Sequence, residues 1–158
     1  MQVELTERTG KKRNALVRES DKGDLIELSK WKFDWVDFYE SGDNRIFQVL
    51  TEEIEGLMKI EFVGPEFFEM KNIEVAPSNY GAQGRYTNVA KILISYGCLL
   101  AFELNKGPYQ GYLSFVSKGK LIDYYIQEYN AELAFRERMF INPSNGIKLI
   151  RKYLNINL

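Results

Sequence analysis

At 158 residues, with a formal charge of −1 and 27% charged residues, the chain has the length of one globular domain and no global basic field to hold nucleic acid. It has no histidine, which excludes His-based triads, His general bases and His metal ligands, and no metal site is expected. The one cysteine, Cys98, cannot form an intrachain disulfide, and no apolar run approaches the ~20 residues of a membrane span. The first residues lack the apolar core of a signal peptide, so a cytoplasmic protein with no membrane partner is expected.

Val3 to Glu7 alternates apolar and polar residues as a short strand does, and Thr9-Gly10-Lys11-Lys12 is a turn. Ala15 to Arg18 can return as the second arm of a hairpin. The basic run Lys11-Lys12-Arg13 reads as a solvated turn, with phosphate contact as the alternative. Ser20-Asp21-Lys22-Gly23 is a further turn signal. Residues 24–40 carry two periods at once. Trp31, Trp35 and Phe38 share a helical face, while Trp31, Phe33 and Trp35 alternate. Helix or irregular structure is favoured over strand, with the aromatics as core or substrate-side wall, and a cation–π cage as the alternative. Ser41-Gly42-Asp43-Asn44 breaks the chain.

Three strand candidates follow on short links: Arg45 to Leu50, Gly56 to Val63 and Phe67 to Val75, which favours antiparallel pairing. Val89 to Leu104 is apolar on most faces, as a buried helix is. Cys98 within it reads as packing rather than as a nucleophile. Gly107-Pro108 stops this helix. Gln110 to Val116 is a strand, Lys120 to Tyr129 a helix and Phe135 to Ile141 a strand. Asn142-Pro143 caps a last helix with Ile147, Ile150, Tyr153 and Leu154 on one face. The order is mostly β at first, then β-α-β-α-β-α, an α/β (α+β) chain with a mixed sheet and helices against it. Residues 1–158 read as one domain, with 1–44 the least clearly patterned part. The stretch Lys71 to Asn105 is a strand, a polar loop and a helix, an arrangement whose helix N-terminus offers N–H groups to an anion.

Val75-Ala76-Pro77 followed by Arg85-Tyr86-Thr87-Asn88-Val89-Ala90 resembles the central motif of the GNAT superfamily of N-acetyltransferases, a strand ending V-x-P and then Q/R-x-x-G-x-G/A. The segment GYLSFVSKGKLIDYYIQEYNAEL resembles the strand, turn and tyrosine-bearing helix that follow in that family. Asn88 stands at a glycine position, as does Asn130, five residues after Tyr125. Asparagine tolerates left-handed backbone, which would let the loop keep its path at Asn88. The resemblance implies a largely antiparallel central sheet with helices on both faces, acetyl-CoA as co-substrate, and acetyl transfer to a small-molecule or peptide amine. It also allows a homodimer.

By the same resemblance, Arg85, Tyr86, Thr87, Asn88, Val89 and Ala90 would hold the coenzyme A pyrophosphate, largely through backbone N–H groups. Backbone near Val75 would donate to the thioester oxygen as charge develops there. Ser117 and Lys118 would touch the pantetheine or adenosine end. Tyr125 would serve the leaving thiolate, with Tyr124 as neighbouring rival and simple packing of a helix on the sheet as the alternative. Tyrosine's pKa of about 10 against about 8.5 for a thiol favours hydrogen bonding over full proton transfer. Glu74, beside Val75, is a candidate base for the attacking ammonium, or a solvent-facing partner for a basic residue. Glu61, Glu69 and Glu103 are further options. A GNAT-like fold without turnover, acting as a binding or interaction module, is the alternative function.

Overall fold

The computed structural model describes residues 1–42 and 45–156, so the Asp43-Asn44 part of the expected break lies outside the described residues. Contacts group the chain into two compact units, one of Met1–Ile60 with Asn72–Leu93 and the other of Glu61–Lys71 with Ile94–Leu158.

In the first unit, the alternation of Val3 and Leu5 with polar neighbours yields β1 (Gln2–Thr6), with those two side chains buried. It pairs antiparallel with β2 (Lys12–Glu19), in register Val3↔Ala15. β2 pairs antiparallel with β3 (Arg45–Leu50), and β3 with β4 (Ile54–Val63). The turn signal at 20–23 instead opens a short helix, α1 (Lys22–Leu25). The side chain of Asp21 accepts from Asp24 N, and that of Asp24 accepts from Asp21 N, a capping box that converts a turn into a helix start.

Residues 26–34 are irregular and α2 (Trp35–Glu40) follows, so the aromatic segment is neither one long helix nor a strand. Its side chains make core: Leu25, Trp35, Ile46 and Leu57 are buried, with Trp31, Phe33 and Phe38 packed against them. β5 (Phe67–Val75) ends in this unit, and α3 (Val89–Leu104) begins in it. Gly56 on β4 lets α3 come close, because a Cβ there would lie 2.5 Å from Val89 Cγ1.

In the second unit, β5 pairs parallel with β6 (Leu113–Val116) through Glu69↔Ser114. β6 pairs antiparallel with β8 (Arg138–Ile141), which pairs antiparallel with β7 (Glu132–Phe135). The strand expected from Gln110 is shorter at its start. Gln110 N and Tyr112 N bond to Gly107 O and Tyr109 O, which spends them on turns, and Gly111 sits at φ +84° against the Phe102 ring. The strand expected over 135–141 is a hairpin whose turn is made by Arg136 at φ 54°, a position the sequence does not mark with glycine. α4 (Ile122–Tyr129) ends on Asn130 in left-handed conformation, φ 52°. Asn142 caps α5 (Pro143–Leu154), its side chain accepting from Asn145 N at 2.8 Å. Gly146 on α5 lies against Cys98, whose thiol burial pushes up to about 12.

Candidate active site

The loop between β5 and α3 is built on Asn79. This buried amide donates to the Glu55 carbonyl at 3.1 Å and to Glu55 Oε1 at 3.0 Å, and accepts from Tyr86 N at 3.0 Å. Glu55 is itself buried and is bonded by Thr51 Oγ1 at 2.6 Å. Gly84 passes so close that a Cβ would meet the Asn79 carbonyl oxygen at 2.5 Å. Buried polar groups satisfied in this way hold a loop without regular structure in one path.

Residues 85–88 then run beside β1 and its following turn. Arg8 N donates to Arg85 O at 3.0 Å, and Thr87 N donates to Thr6 O at 2.9 Å. Asn88 Oδ1 accepts from Thr6 N at 2.9 Å, while its Nδ2 donates to Glu4 O at 3.1 Å. Asn88 is not among the residues at positive φ, so its tolerance of left-handed backbone is not called on. Its side chain extends the pairing of the β1 edge, a task that a glycine cannot perform. Among the motif's N–H groups, those of Arg85, Tyr86 and Thr87 are taken by Ser78 O, Asn79 Oδ1 and Thr6 O. Those of Asn88, Val89 and Ala90 have no protein acceptor among the described residues, and they stand at the N-terminus of a 16-residue helix. The Arg85 guanidinium lies 4.9 Å from the centre of the Tyr86 ring. Val75 closes β5 and is partly exposed.

Glu74 is only 7% exposed, so it is not a solvent-facing partner for a basic residue. Its Oε2 accepts from Lys32 N at 2.6 Å and from the Tyr80 hydroxyl at 2.9 Å. Its Oε1 accepts from Phe33 N at 3.1 Å and Trp35 Nε1 at 2.9 Å. Burial opposes its charge, but these hydrogen bonds outweigh burial and hold the carboxyl below the usual carboxylate range. Such a group anchors the 32–35 segment. Its lone pairs are occupied, which leaves it poorly suited to take a proton from an ammonium. Sequence reasoning missed the anchor because three of its four donors lie 39 to 42 residues away along the chain.

The second unit carries Tyr125, Ser117 and Lys118. The Tyr125 ring packs on Phe115 at 4.8 Å and on Tyr129 at 5.8 Å between centroids. Burial, then the neighbouring Tyr124, raises its pKa, so it is a lasting O–H donor. Tyr124, the rival, is 45% exposed. Ser117 is buried, with its N–H on Glu137 O at 2.8 Å and its hydroxyl on Lys118 O at 2.9 Å. Lys118 is exposed at the start of the turn into α4.

No family model and no curated protein sequence matches this chain. Solved structures do. A chain of the KacTA–DNA complex superposes with a TM-score of 0.63 at 8% identity, over 87% of this chain and 99% of that one. Mutant forms of the spermidine/spermine N-acetyltransferase SpeG from Vibrio cholerae give 0.55 at 16% identity, over 85% and 98%. A GNAT family acetyltransferase from Elizabethkingia anophelis with acetyl-CoA bound gives 0.56 at 18% identity, over 77% and 78%. No described helix is long and apolar enough to cross a membrane. With its mixed, largely antiparallel strands, its V-x-P strand end and its strand–loop–helix, the chain has the fold of the GNAT N-acetyltransferases.

Proposed function

We propose that the protein is an acetyl-CoA-dependent N-acetyltransferase that passes the acetyl group to a primary amine by direct attack. The observation that carries this reading is the start of α3, where Asn88, Val89 and Ala90 offer N–H groups with no acceptor among the described residues, on a helix end fixed by Asn79 and by the Asn88–β1 bonds. Fixed donors at a helix N-terminus suit a pyrophosphate, and Arg85, whose guanidinium lies over the Tyr86 ring, adds a cation to the same motif. The fold neighbour solved with acetyl-CoA supports the same ligand.

Tyr125 is proposed as the hydrogen-bond donor to the leaving thiolate. Its raised pKa makes outright proton transfer to a thiolate more uphill than for free tyrosine, so its role is stabilisation as the C–S bond breaks. Backbone near Val75 is proposed to donate to the carbonyl oxygen. Glu74 is proposed as the anchor of the 32–35 segment, and the ammonium proton leaves through water.

Two observations favour a second reading, a binding module without turnover. Three of the motif's N–H groups are committed to the protein itself, and Glu74 is saturated with donors. Isothermal titration with acetyl-CoA tests the shared part: absence of heat at millimolar acetyl-CoA ends both readings. Thiol release from acetyl-CoA with a panel of primary amines separates them. Release that depends on the amine supports the enzyme, and binding without release supports the module.

A further inference from the structure

The second unit contains a cavity of about 220 Å³ bounded by β5, β6, β7, β8 and the 109–112 turn. Its walls are largely aromatic and in continuous contact. Phe67 stacks on Tyr109 at 5.0 Å and 28°, Tyr109 meets Tyr112 edge-on at 5.9 Å, and Tyr112 meets Phe140 at 5.8 Å. Phe67 and Tyr109 are 45% and 38% exposed, so the arc of rings opens to solvent. Water has few partners on such a wall, and a flat apolar group has many.

One charged side chain, Arg138, lines this cavity. It is anchored from below: Nη1 donates to Glu69, whose carboxylate is 1% exposed. The other Glu69 oxygen has Lys71 Nζ at 3.2 Å, and Lys71 also reaches Glu61 at 3.4 Å. Two cations therefore face the two carboxylates, and among the described residues no carboxylate lines the cavity to receive a ligand ammonium. Arg138 is different. Its side chain is 43% exposed, and the single bond to Glu69 uses one of five N–H donors in the planar fork. The group presented to the cavity is a cationic donor held in place by a buried carboxylate.

We propose that this cavity binds a small aryl carboxylate, with the ring within the Phe67–Tyr109–Tyr112–Phe140 arc and the carboxylate on the free edge of the Arg138 guanidinium. The same charges exclude polyamines, which need several carboxylates and have no ring. The site stands independently of acetyl transfer, since it rests on residues of the second unit alone.

The test is calorimetric titration of the full chain, without acetyl-CoA, with four probes: 3-phenylpropionate, 2-phenylethylamine, propionate and spermidine. Saturable binding of 3-phenylpropionate is expected with a Kd of about 1 mM. Binding of 2-phenylethylamine should be at least about tenfold weaker, and propionate and spermidine should give no saturation. Tyr112→Ala and Arg138→Lys should each weaken 3-phenylpropionate about tenfold or more, circular dichroism confirming that the variant is folded. The proposal is overturned if 3-phenylpropionate does not saturate, if the amine binds as tightly as the acid, or if folded variants bind unchanged. The four-probe comparison uses the unaltered chain, so it decides the matter even where a variant fails to fold.

Discussion

The indole Nε1–H of Trp35 donates to Glu74 Oε1 at 2.9 Å, which joins the aromatic core of the N-terminal segment to the end of strand β5. Two backbone N–H groups and the Tyr80 hydroxyl complete the shell of donors around this carboxylate. The pairing explains why a segment without regular structure packs in one way. A carboxylate can accept about four hydrogen bonds, and here four are supplied, one of them by the buried indole N–H of Trp35.

Replacement of Glu74 should therefore be felt first in stability. Glu74→Gln turns two acceptor sites into donors facing donors, and the expected loss is about 3 kcal/mol. The effect depends on pH with a definite sign. The folded-state pKa lies below the unfolded value, so the stabilisation is complete above the unfolded pKa of about 4.3 and is lost as pH falls through the lower folded value. Thermal melts from pH 7 to pH 3 should show a steeper acid loss for the native chain than for Glu74→Gln. Equal slopes would mean that this carboxylate is not the titrating anchor.

Asn88 offers a test against motif reading. Restoring the family glycine with Asn88→Gly removes the bonds to Thr6 N and Glu4 O. It should destabilise the chain by about 1–2 kcal/mol and weaken acetyl-CoA binding rather than improve it. Tighter acetyl-CoA binding by Asn88→Gly in calorimetry would show that the β1 bonds do not position the helix start.

Gly84→Ala should cost about 1–3 kcal/mol, because its new methyl meets backbone rather than a movable side chain. Chemical denaturation measures the loss. A neutral result would mean that the Asn79 loop yields easily, and with it the fixed donors at the start of α3.

For Tyr125, Phe is the informative change. The ring contacts with Phe115 and Tyr129 survive in Tyr125→Phe, and only the hydroxyl is lost. If the enzyme reading holds, kcat should fall by about ten- to a hundredfold with acetyl-CoA affinity unchanged. An unaltered kcat would remove the hydroxyl from the reaction.

Cys98 should be inert in the native state. Its thiol is fully buried and its pKa is pushed up to about 12, so little thiolate exists at pH 8. A disulfide reagent should react with it only on unfolding in urea.

Much of the architecture was legible where local pattern and burial agree. β3 and α3 match the expected spans Arg45–Leu50 and Val89–Leu104, since a run of apolar residues bounded by turn or capping signals leaves few alternatives. The left-handed Asn130 at the end of α4 also fits the glycine position that the resemblance assigns to it. The hairpin turn at Arg136 was not legible, because it uses a residue that rarely takes positive φ and joins a strand, β7, whose side chains are exposed.

The sequence by itself determined spans such as β3 and α3, the absence of histidine chemistry and the motif that leads to a GNAT fold, because these depend on neighbours within a few residues. Tertiary structure alone decided what Glu74, Asn79 and Asn88 do. Each is a polar side chain whose hydrogen-bonding partners include groups far along the chain, and a buried polar group takes its role from the donors and acceptors that folding places around it.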